Sequence, residues 1–392
     1  MKEQAAKSGV LTLIFVWFTT HFGGGFASGR QIISFFVEFG WYAAIMPVIA
    51  IGIQAIVFYF AWRYAVDHKL YDYRSWALSF YKPLERLFSN LFEVMYLLVL
   101  LTATAVAFAT GGATITTVTG IPYLLNTFVI AGALLLLTIF GANVVRRAAK
   151  YIAYVIILGL LVIYIPNVIV SWSQIWTNIG ALQSGAIENP GTFGGALWSA
   201  VLYAAFQACA LGAYLAHSDV LRDAADAKKA AIGGFILNYG LLALATFGIM
   251  IYYTDGILAE AVPALYIVQN GIGAAWMVPM ISVLIVLGAV STGVNFIYGM
   301  TNRIVTWLGK RDQSPVSDAV LRKRSILSSL VYVILTWSIA QFGLIPLVAR
   351  GYGFLGYVGI VVIIIPVLFR GIVTGRSHES YDGVPTANGH KA

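Results

Sequence analysis

Charged residues are scarce in this chain. They make up 10% of its 392 residues, while hydrophobic residues make up 60%. With a mean hydropathy of +0.84, a soluble domain of this length could not cover its apolar surface. Lipid is therefore the expected solvent. A single cysteine, Cys209, excludes an internal disulfide. The five histidines, His21, His68, His217, His378 and His390, are scattered and have no metal-ligand spacing among themselves or with Cys209. The 16 carboxylates do not cluster with them at one depth, so the chain is expected not to be an enzyme and to need no cofactor other than a coupling ion. No ring of like residues or filter repeat suggests a channel.

What is present is a series of apolar runs. A bilayer core of roughly 30 Å needs about 20 apolar residues per helix. On that measure ten spans are expected, over 8–37, 41–63, 87–118, 121–142, 149–170, 193–216, 230–253, 272–307, 325–342 and 352–370. The first run is too long for a signal peptide and has no small-residue cleavage pattern. With a cytoplasmic N-terminus, every one of the 24 lysines and arginines except Arg30 and Arg350 falls on the inner side. That asymmetry fits a multi-pass protein with both termini cytoplasmic. It also explains the net charge of +8 without a nucleic-acid partner, because the basic residues face anionic headgroups.

Ten spans divide into five and five. Since five is odd, the halves 8–170 and 193–370 would have opposite topology, an inverted repeat common in secondary transporters. Three spans are long, 8–37 with its glycine interruption, 87–118 and 272–307, and the last two each come third in their halves. Residues 64–85 read as a cytoplasmic loop with an interfacial helix, 171–192 as an outer loop with Trp172 and Trp176 at the interface, and 377–392 as a disordered cytoplasmic tail.

Residues 21–30 read HFGGGFASGR, inside the first span. Glycine costs a helix about 1 kcal/mol relative to alanine, and bare peptide groups in lipid cost more. Gly23, Gly24 and Gly25, followed by Phe26, predict a discontinuous helix whose carbonyls hold a cation and whose amides hold an anionic group. Close helix packing is the alternative, although three adjacent glycines fit a small-xxx-small spacing poorly.

The stretch GGGFASGRQIISFF in a ten-span chain resembles the YkvI family of bacterial membrane proteins. More distantly the chain is similar to the amino acid–polyamine–organocation superfamily with the LeuT-type fold. The resemblance implies an all-α, ten-helix protein of the bacterial inner membrane, with its first and sixth helices discontinuous. It implies a sodium site between the broken first helix and the eighth. In LGAVSTGVNFIYG at 287–299, Ser291 and Thr292 match the two hydroxyls and Gly288 the carbonyl position, with first-helix carbonyls near His21 and Gly24. Serine and threonine in membrane helices also bond their own backbone.

A proton is the competing coupling ion. Lys150, at the start of the fifth span, matches a lysine of proton-coupled relatives but also reads as a cytoplasmic anchor beside Arg146 and Arg147. His21 titrates near neutral pH and is either a proton carrier or a hydrogen-bonding cap at the break. Glu93, inside the third span, pairs with Arg86, Arg63 or Lys150, or carries a proton. Arg30 matches an outer-gate arginine of the resembling family, whose acidic partner on the tenth helix is missing here; Arg30 pairs instead with Glu38, attracts an anionic substrate group, or is a snorkelling interface residue. In the sixth span, GGALWSAVLYAAFQACALGAYLAHSD, Tyr203, Phe206 and Gln207 are candidate wall residues and Gly212 the hinge; Thr104 on the third span is a further pocket candidate. With no midplane carboxylate expected, a small zwitterion or anion fits better than a cationic solute. The expected function is a secondary transporter, sodium-coupled and carrying a small amino-acid-like solute by alternating access. The alternatives are a proton-coupled transporter of the same fold and a transporter-like membrane sensor.

Overall fold

The computed structural model describes residues 2–312 and 316–377, with side-chain surroundings for all of these except 2–8, 24, 142–150, 153 and 373–377. The expected tail at 377–392 lies almost entirely outside the described residues. The chain is all-helical, with no strand among the described residues. The helices, in order, are α1 (Lys2–His21), α2 (Gly24–Ala27), α3 (Arg30–Phe35), α4 (Met46–His68), α5 (Tyr73–Phe80), α6 (Glu85–Thr119) and α7 (Tyr123–Val170). They continue with α8 (Trp172–Ser184), α9 (Phe193–Ala208), α10 (Leu211–Leu215), α11 (Ala224–Met250), α12 (Pro263–Asn270), α13 (Ala274–Gly309), α14 (Asp318–Ala340) and α15 (Leu344–Ile372). Local chemistry sets several starts. Asp72, Thr192 and Asp223 accept hydrogen bonds from the amides of Ser75, Gly195 and Asp226, capping α5, α9 and α11.

Among the described residues, six helices are long and apolar enough to cross a membrane: α4, α6, the first part of α7 (Tyr123–Gly141), α11, α13 and α15. Two bent pairs raise the number to eight, Tyr154–Val170 with α8, bent by 70°, and α9 with Leu211–Val220, bent by 49°. Length and composition thus give six to eight spans, fewer than the ten expected. Two expected spans are not among these: of α1 the residues with described side chains up to its break are Gly9–His21, and α14 opens with Asp318, Arg322, Lys323 and Arg324 within two turns.

Hydrogen bonding runs helically through α7, yet this element is not straight. Leu134 lies against Gly293 and Ile156 against Gly288, five positions apart on α13. A straight helix would separate Leu134 from Ile156 by roughly 33 Å. α7 is therefore bent, and both of its parts, Tyr123–Gly141 and Tyr154–Val170, lie against α13.

Packing sorts the helices into two groups. In one, α4 packs on α11 and α9, and α1 packs on α11. In the other, α13 packs on α6, α7 and α14. The one-turn α2 packs against α6 and α13 of the second group and against α3. The buried interior is continuous through both, from Trp17, Phe58 and Trp62 in the first to Phe108, Leu134 and Ile285 in the second. Many large apolar side chains instead face outward, among them Phe128, Phe140, Ile236 and Phe369, as lipid contact requires.

Candidate functional site

α1 stops at His21, inside the glycine run. The Phe22 amide still donates to the Phe18 carbonyl at 2.8 Å, but the carbonyls of Thr19, His21 and Phe22 then accept no backbone hydrogen bond among the described residues. The ladder restarts as α2, with the amides of Phe26 and Ala27 on the Gly23 carbonyl at 3.0 and 3.1 Å. It lapses again at Ser28–Gly29. There the Ser28 hydroxyl turns back to the Gly25 carbonyl at 2.9 Å, and Gly29 takes a φ of +86°, which a residue with a Cβ resists. Aromatic rings hold the first gap together: Phe22 and Phe26 are 4.0 Å apart by centroid, and Phe18 and His21 pack on either side. Gly24 lies outside the described side chains. At Gly25 a Cβ would come within 2.5 Å of the Gln31 amide nitrogen, so only glycine lets that side chain lie against the break.

A small cavity of about 20 Å³ sits beside the first gap. Such a volume suits one water molecule or one small ion. Phe18, Thr19 and Phe22 line it from the end of α1, Ile152 and Ile156 from α7, and Gly288, Ser291 and Thr292 from α13. The first-helix residues on the cavity are Phe18, Thr19 and Phe22, next to His21, while Gly24 lies outside the described side chains. Thr292 Oγ1 lies 3.7 Å from where a Cβ on Gly23 would be.

The hydroxyls of Ser291 and Thr292 differ from the rest. Thr104, Thr114, Thr138, Thr246, Ser282 and Thr336 each donate to the carbonyl four residues back. Ser291 and Thr292 make no hydrogen bond among the described residues. Two unused hydroxyls and two unused carbonyls on one small cavity form a neutral, oxygen-rich seat. Among the described residues there is no cluster of three or more His, Cys, Asp or Glu side chains that could hold a metal ion.

His21 faces away from this cavity. It is 2% exposed, with Nδ1 2.7 Å from Asn238 Oδ1 on α11 and Nε2 2.6 Å from the Tyr203 hydroxyl on α9. An amide oxygen only accepts, so Nδ1 donates; a neutral ring satisfies both contacts, with Tyr203 donating to Nε2. The end of α1 is thereby fastened to two helices of its own group.

Tyr203, Phe206 and Gln207 all reach the segment following the break. Tyr203 packs against Phe35 and Phe36, and Phe206 stacks between Phe35 (5.4 Å) and Tyr352 (4.6 Å). Gln207 donates to the Gln31 side-chain oxygen at 3.5 Å. The α9 break falls at Cys209–Ala210, where the Cys209 amide is shared between the carbonyls of Ala205 and Phe206 and the helix tightens. The hinge is therefore not Gly212. That residue lies inside α10, against Tyr73 and Tyr96 near the far end of the helix groups. Thr104 also stands apart, bonded to the Leu100 carbonyl and to the Tyr332 hydroxyl on α14.

Arg30, 2% exposed, opens α3 and is fully engaged. It donates to Glu38 at 2.5 Å, to Ser34 at 3.3 Å, and to the carbonyls of Leu258 and Glu260 at 2.6 and 3.2 Å. The expected Glu38 contact is present, but Arg30 also holds the loop before α12, which a snorkelling side chain would not do. Glu93 does not pair with Arg63 or Arg86. Its partners are Arg303 on α13 and the Tyr73 hydroxyl on α5, with Arg303 lying over the rings of Tyr73 and Tyr96. Arg63 pairs instead with Asp67 at 3.6 Å. The Lys150 side chain lies outside the described residues.

Comparison with known proteins now has a frame. A Na+-coupled sialic acid symporter, solved substrate-bound and outward-open, aligns with 95% of this chain and 97% of its own, at 12% identity and a TM-score of 0.50. A mutant of the manganese transporter of Eremococcus coleocola aligns with 98% of this chain and 90% of its own, at 15% identity and the same TM-score. The chain is a multi-pass membrane protein with a transporter fold. At these identities the likeness concerns the fold alone. No family model and no curated protein matches the chain.

Several residues of the site went unread in the sequence. Gln31, Asn238, Arg303 and Tyr73 carry no motif, and each gains its role only through a partner far along the chain. Gln31 had one available signal, a polar residue one position after Arg30 in an otherwise apolar stretch.

Proposed function

We propose that the chain is a secondary active transporter that couples sodium to the movement of a small amino-acid-like solute by alternating access. Its plan would be ten helices in a LeuT-type five-plus-five inverted repeat. To the eight spans with sufficient length and apolarity this adds α1 through α3, interrupted twice, and α14. The helix groups support the plan. The first group comprises the first and second spans of each half, namely α1 and α4 with α9 and α11. The short helices α5 and α12, eight residues each, follow the second span of each half. The distribution of lysine and arginine supports cytoplasmic termini in a bacterial-type inner membrane.

The single observation carrying sodium is the cavity at the end of α1. Ser291 and Thr292 leave their hydroxyls free there, beside Thr19 and Phe22, whose carbonyls the break has released. A hard monovalent cation suits such neutral oxygens. A proton coupled through His21 is less favoured, because both ring nitrogens are already engaged.

Thermal unfolding of the purified protein in sodium against potassium tests the reading. At sodium a hundredfold above its dissociation constant, binding stabilises by about 2.7 kcal/mol. Thr292→Val removes one hydroxyl ligand, a contact to charge contributing about 1.5–3 kcal/mol, so sodium affinity falls about tenfold or more. An equal sodium shift in wild type and Thr292→Val would sink the assignment. Counterflow in proteoliposomes separates a transporter from a sensor, which would bind without exchange.

A further inference from the structure

We propose that the first helix group encloses bound water, held between α1, α4 and α10 by the side chains of Trp17, Gln54, Trp62 and Tyr214. Among the described residues, six buried side-chain nitrogen or oxygen atoms have no hydrogen-bond partner: Trp17 Nε1, both amide atoms of Gln54, Trp62 Nε1, Thr110 Oγ1 and the Tyr214 hydroxyl. All but the Thr110 oxygen belong to four residues around one ring, that of Phe58 on α4. By centroid, Trp17 lies 4.9 Å from that ring, Trp62 5.6 Å and Tyr214 4.8 Å. Gln54 precedes Phe58 by one turn on the same face of α4. All four side chains are fully buried, so bulk water does not reach them.

Elsewhere the same kinds of group are satisfied. Trp76 is as buried, yet its indole nitrogen donates to the Ala61 carbonyl at 3.2 Å. The buried hydroxyls of Tyr81 and Tyr203 meet the Val362 carbonyl at 2.7 Å and His21 Nε2 at 2.6 Å. An unmet polar group in a packed interior carries its full desolvation cost, and such groups are almost always paired. Orphans gathered in one place therefore point to a shared partner. The orientation of Trp17 fits this. Its six-membered ring leans on Gly234 of α11, where a Cβ would stand 2.2 Å from Cε3, so the N–H on the opposite edge faces away from α11.

The donor set selects water over an ion. Trp17 and Trp62 each offer one N–H and can only donate. The Gln54 amide offers two N–H groups and a carbonyl, and Tyr214 donates or accepts. None of the four side chains is charged. An anion would meet the N–H groups but set a buried negative charge against the Gln54 carbonyl; a cation would do the reverse. Water both donates and accepts, and a buried water bonds about two to four groups that would otherwise go unmet. Tyr214 lies on α10, beyond the α9 break, while Trp17 lies on α1 and Gln54 and Trp62 lie on α4. The wet contact thus joins α10 to α1 and α4, one turn along α1 from the His21 hydrogen bonds. It does not depend on which ion or solute the chain carries.

Synchrotron radiolysis of the purified protein tests this, because hydroxyl radicals formed in place from bound water label the side chains beside it before they diffuse away. Peptide mass spectrometry should show Trp17 and Trp62 oxidised at least threefold faster than Trp76, the equally buried residue whose N–H is paired. A smaller ratio would overturn the site. Thermal unfolding of Gln54→Leu and Tyr214→Phe gives a second reading through its sign. If these groups were dry, removing either would relieve an unmet polar group and raise the Tm. With water bonded to them, each substitution deprives that water of a partner, and the Tm holds or falls. A raised Tm in either variant overturns the proposal. Should Gln54→Leu not fold, Tyr214→Phe and the wild-type labelling still decide. An equal sodium shift in wild type and Thr292→Val would instead strike at the ion site, so the two failures are distinct.

Discussion

Removing the His21 side chain tests whether it carries a proton or fastens the break. The ring is 2% exposed and links Asn238 on α11 to Tyr203 on α9. His21→Ala breaks both hydrogen bonds and leaves two buried polar groups unmatched, at about 1–3 kcal/mol each. It also removes the edge-on contact with Phe26 across the gap, 5.2 Å between centroids. The sum is a destabilisation of about 3–5 kcal/mol, large for one residue. His21→Gln offers one amide to both partners without a titratable group, so it should recover part of the loss. Thermal unfolding in detergent gives the ordering wild type, His21→Gln, His21→Ala. Sodium-driven uptake by the glutamine variant should persist, with an unchanged pH profile between pH 5 and 8. Two results would refute the reasoning: a cost for the alanine variant below about 1 kcal/mol, or a stable glutamine variant whose uptake loses its pH dependence.

Two further outcomes follow from the same coordinates. Gly25→Ala places a methyl group 2.5 Å from the nitrogen of the buried Gln31 amide, so Gln31 must swing away and stability should fall by about 1–3 kcal/mol, read by thermal unfolding, with Gly52→Ala, where a Cβ meets nothing, as the neutral control. Arg30→Ala strips the carbonyls of Leu258 and Glu260 of their donor, and amide hydrogen exchange over 256–262 should accelerate about tenfold or more, with exchange in α11 unchanged.

How much of this could be read in advance depended on whether the cause was local. The first break was legible because three glycines in an apolar run have few other uses. The neighbours on α13 were legible only through the resemblance to the LeuT-type family, whose motif Gly288, Ser291 and Thr292 match; their helical register then brings them to one face. The α9 break was misplaced by three residues. Sequence reasoning assigned it to Gly212, whereas the helix tightens at Cys209–Ala210, where no residue type announces it. Cys209 donates from its thiol to the Leu355 carbonyl on α15 at 3.4 Å, a tertiary contact that local propensity cannot anticipate. Glu93 failed in the same way. Its partner was sought among basic residues nearby along the chain or at the inner surface, but Arg303 stands 210 positions away. Length and apolarity count fewer spans than the ten expected because two of the segments are bent pairs and α14 begins with a charged stretch.

The position of the small cavity bears on how an ion could control a solute. Its walls come from both helix groups: Thr19 and Phe22 belong to the group of α1, α4, α9 and α11, and Gly288, Ser291 and Thr292 to the group around α13. A cation seated there would bond to both and favour the arrangement in which they touch. Its departure would remove that preference without altering any contact inside either group. His21 keeps the end of α1 attached to α9 and α11, so a displacement at the cavity would be carried by the whole first group rather than absorbed by a loose helix end. Gly25 and Gln31 follow within ten residues on the same interrupted span, so the segment beyond the break would shift with it. A ligand can move a two-state equilibrium only by its differential affinity for the two states. Here that difference would arise from oxygen ligands split between two bodies, which requires no charged residue at the cavity and is consistent with the scarcity of charge in the chain.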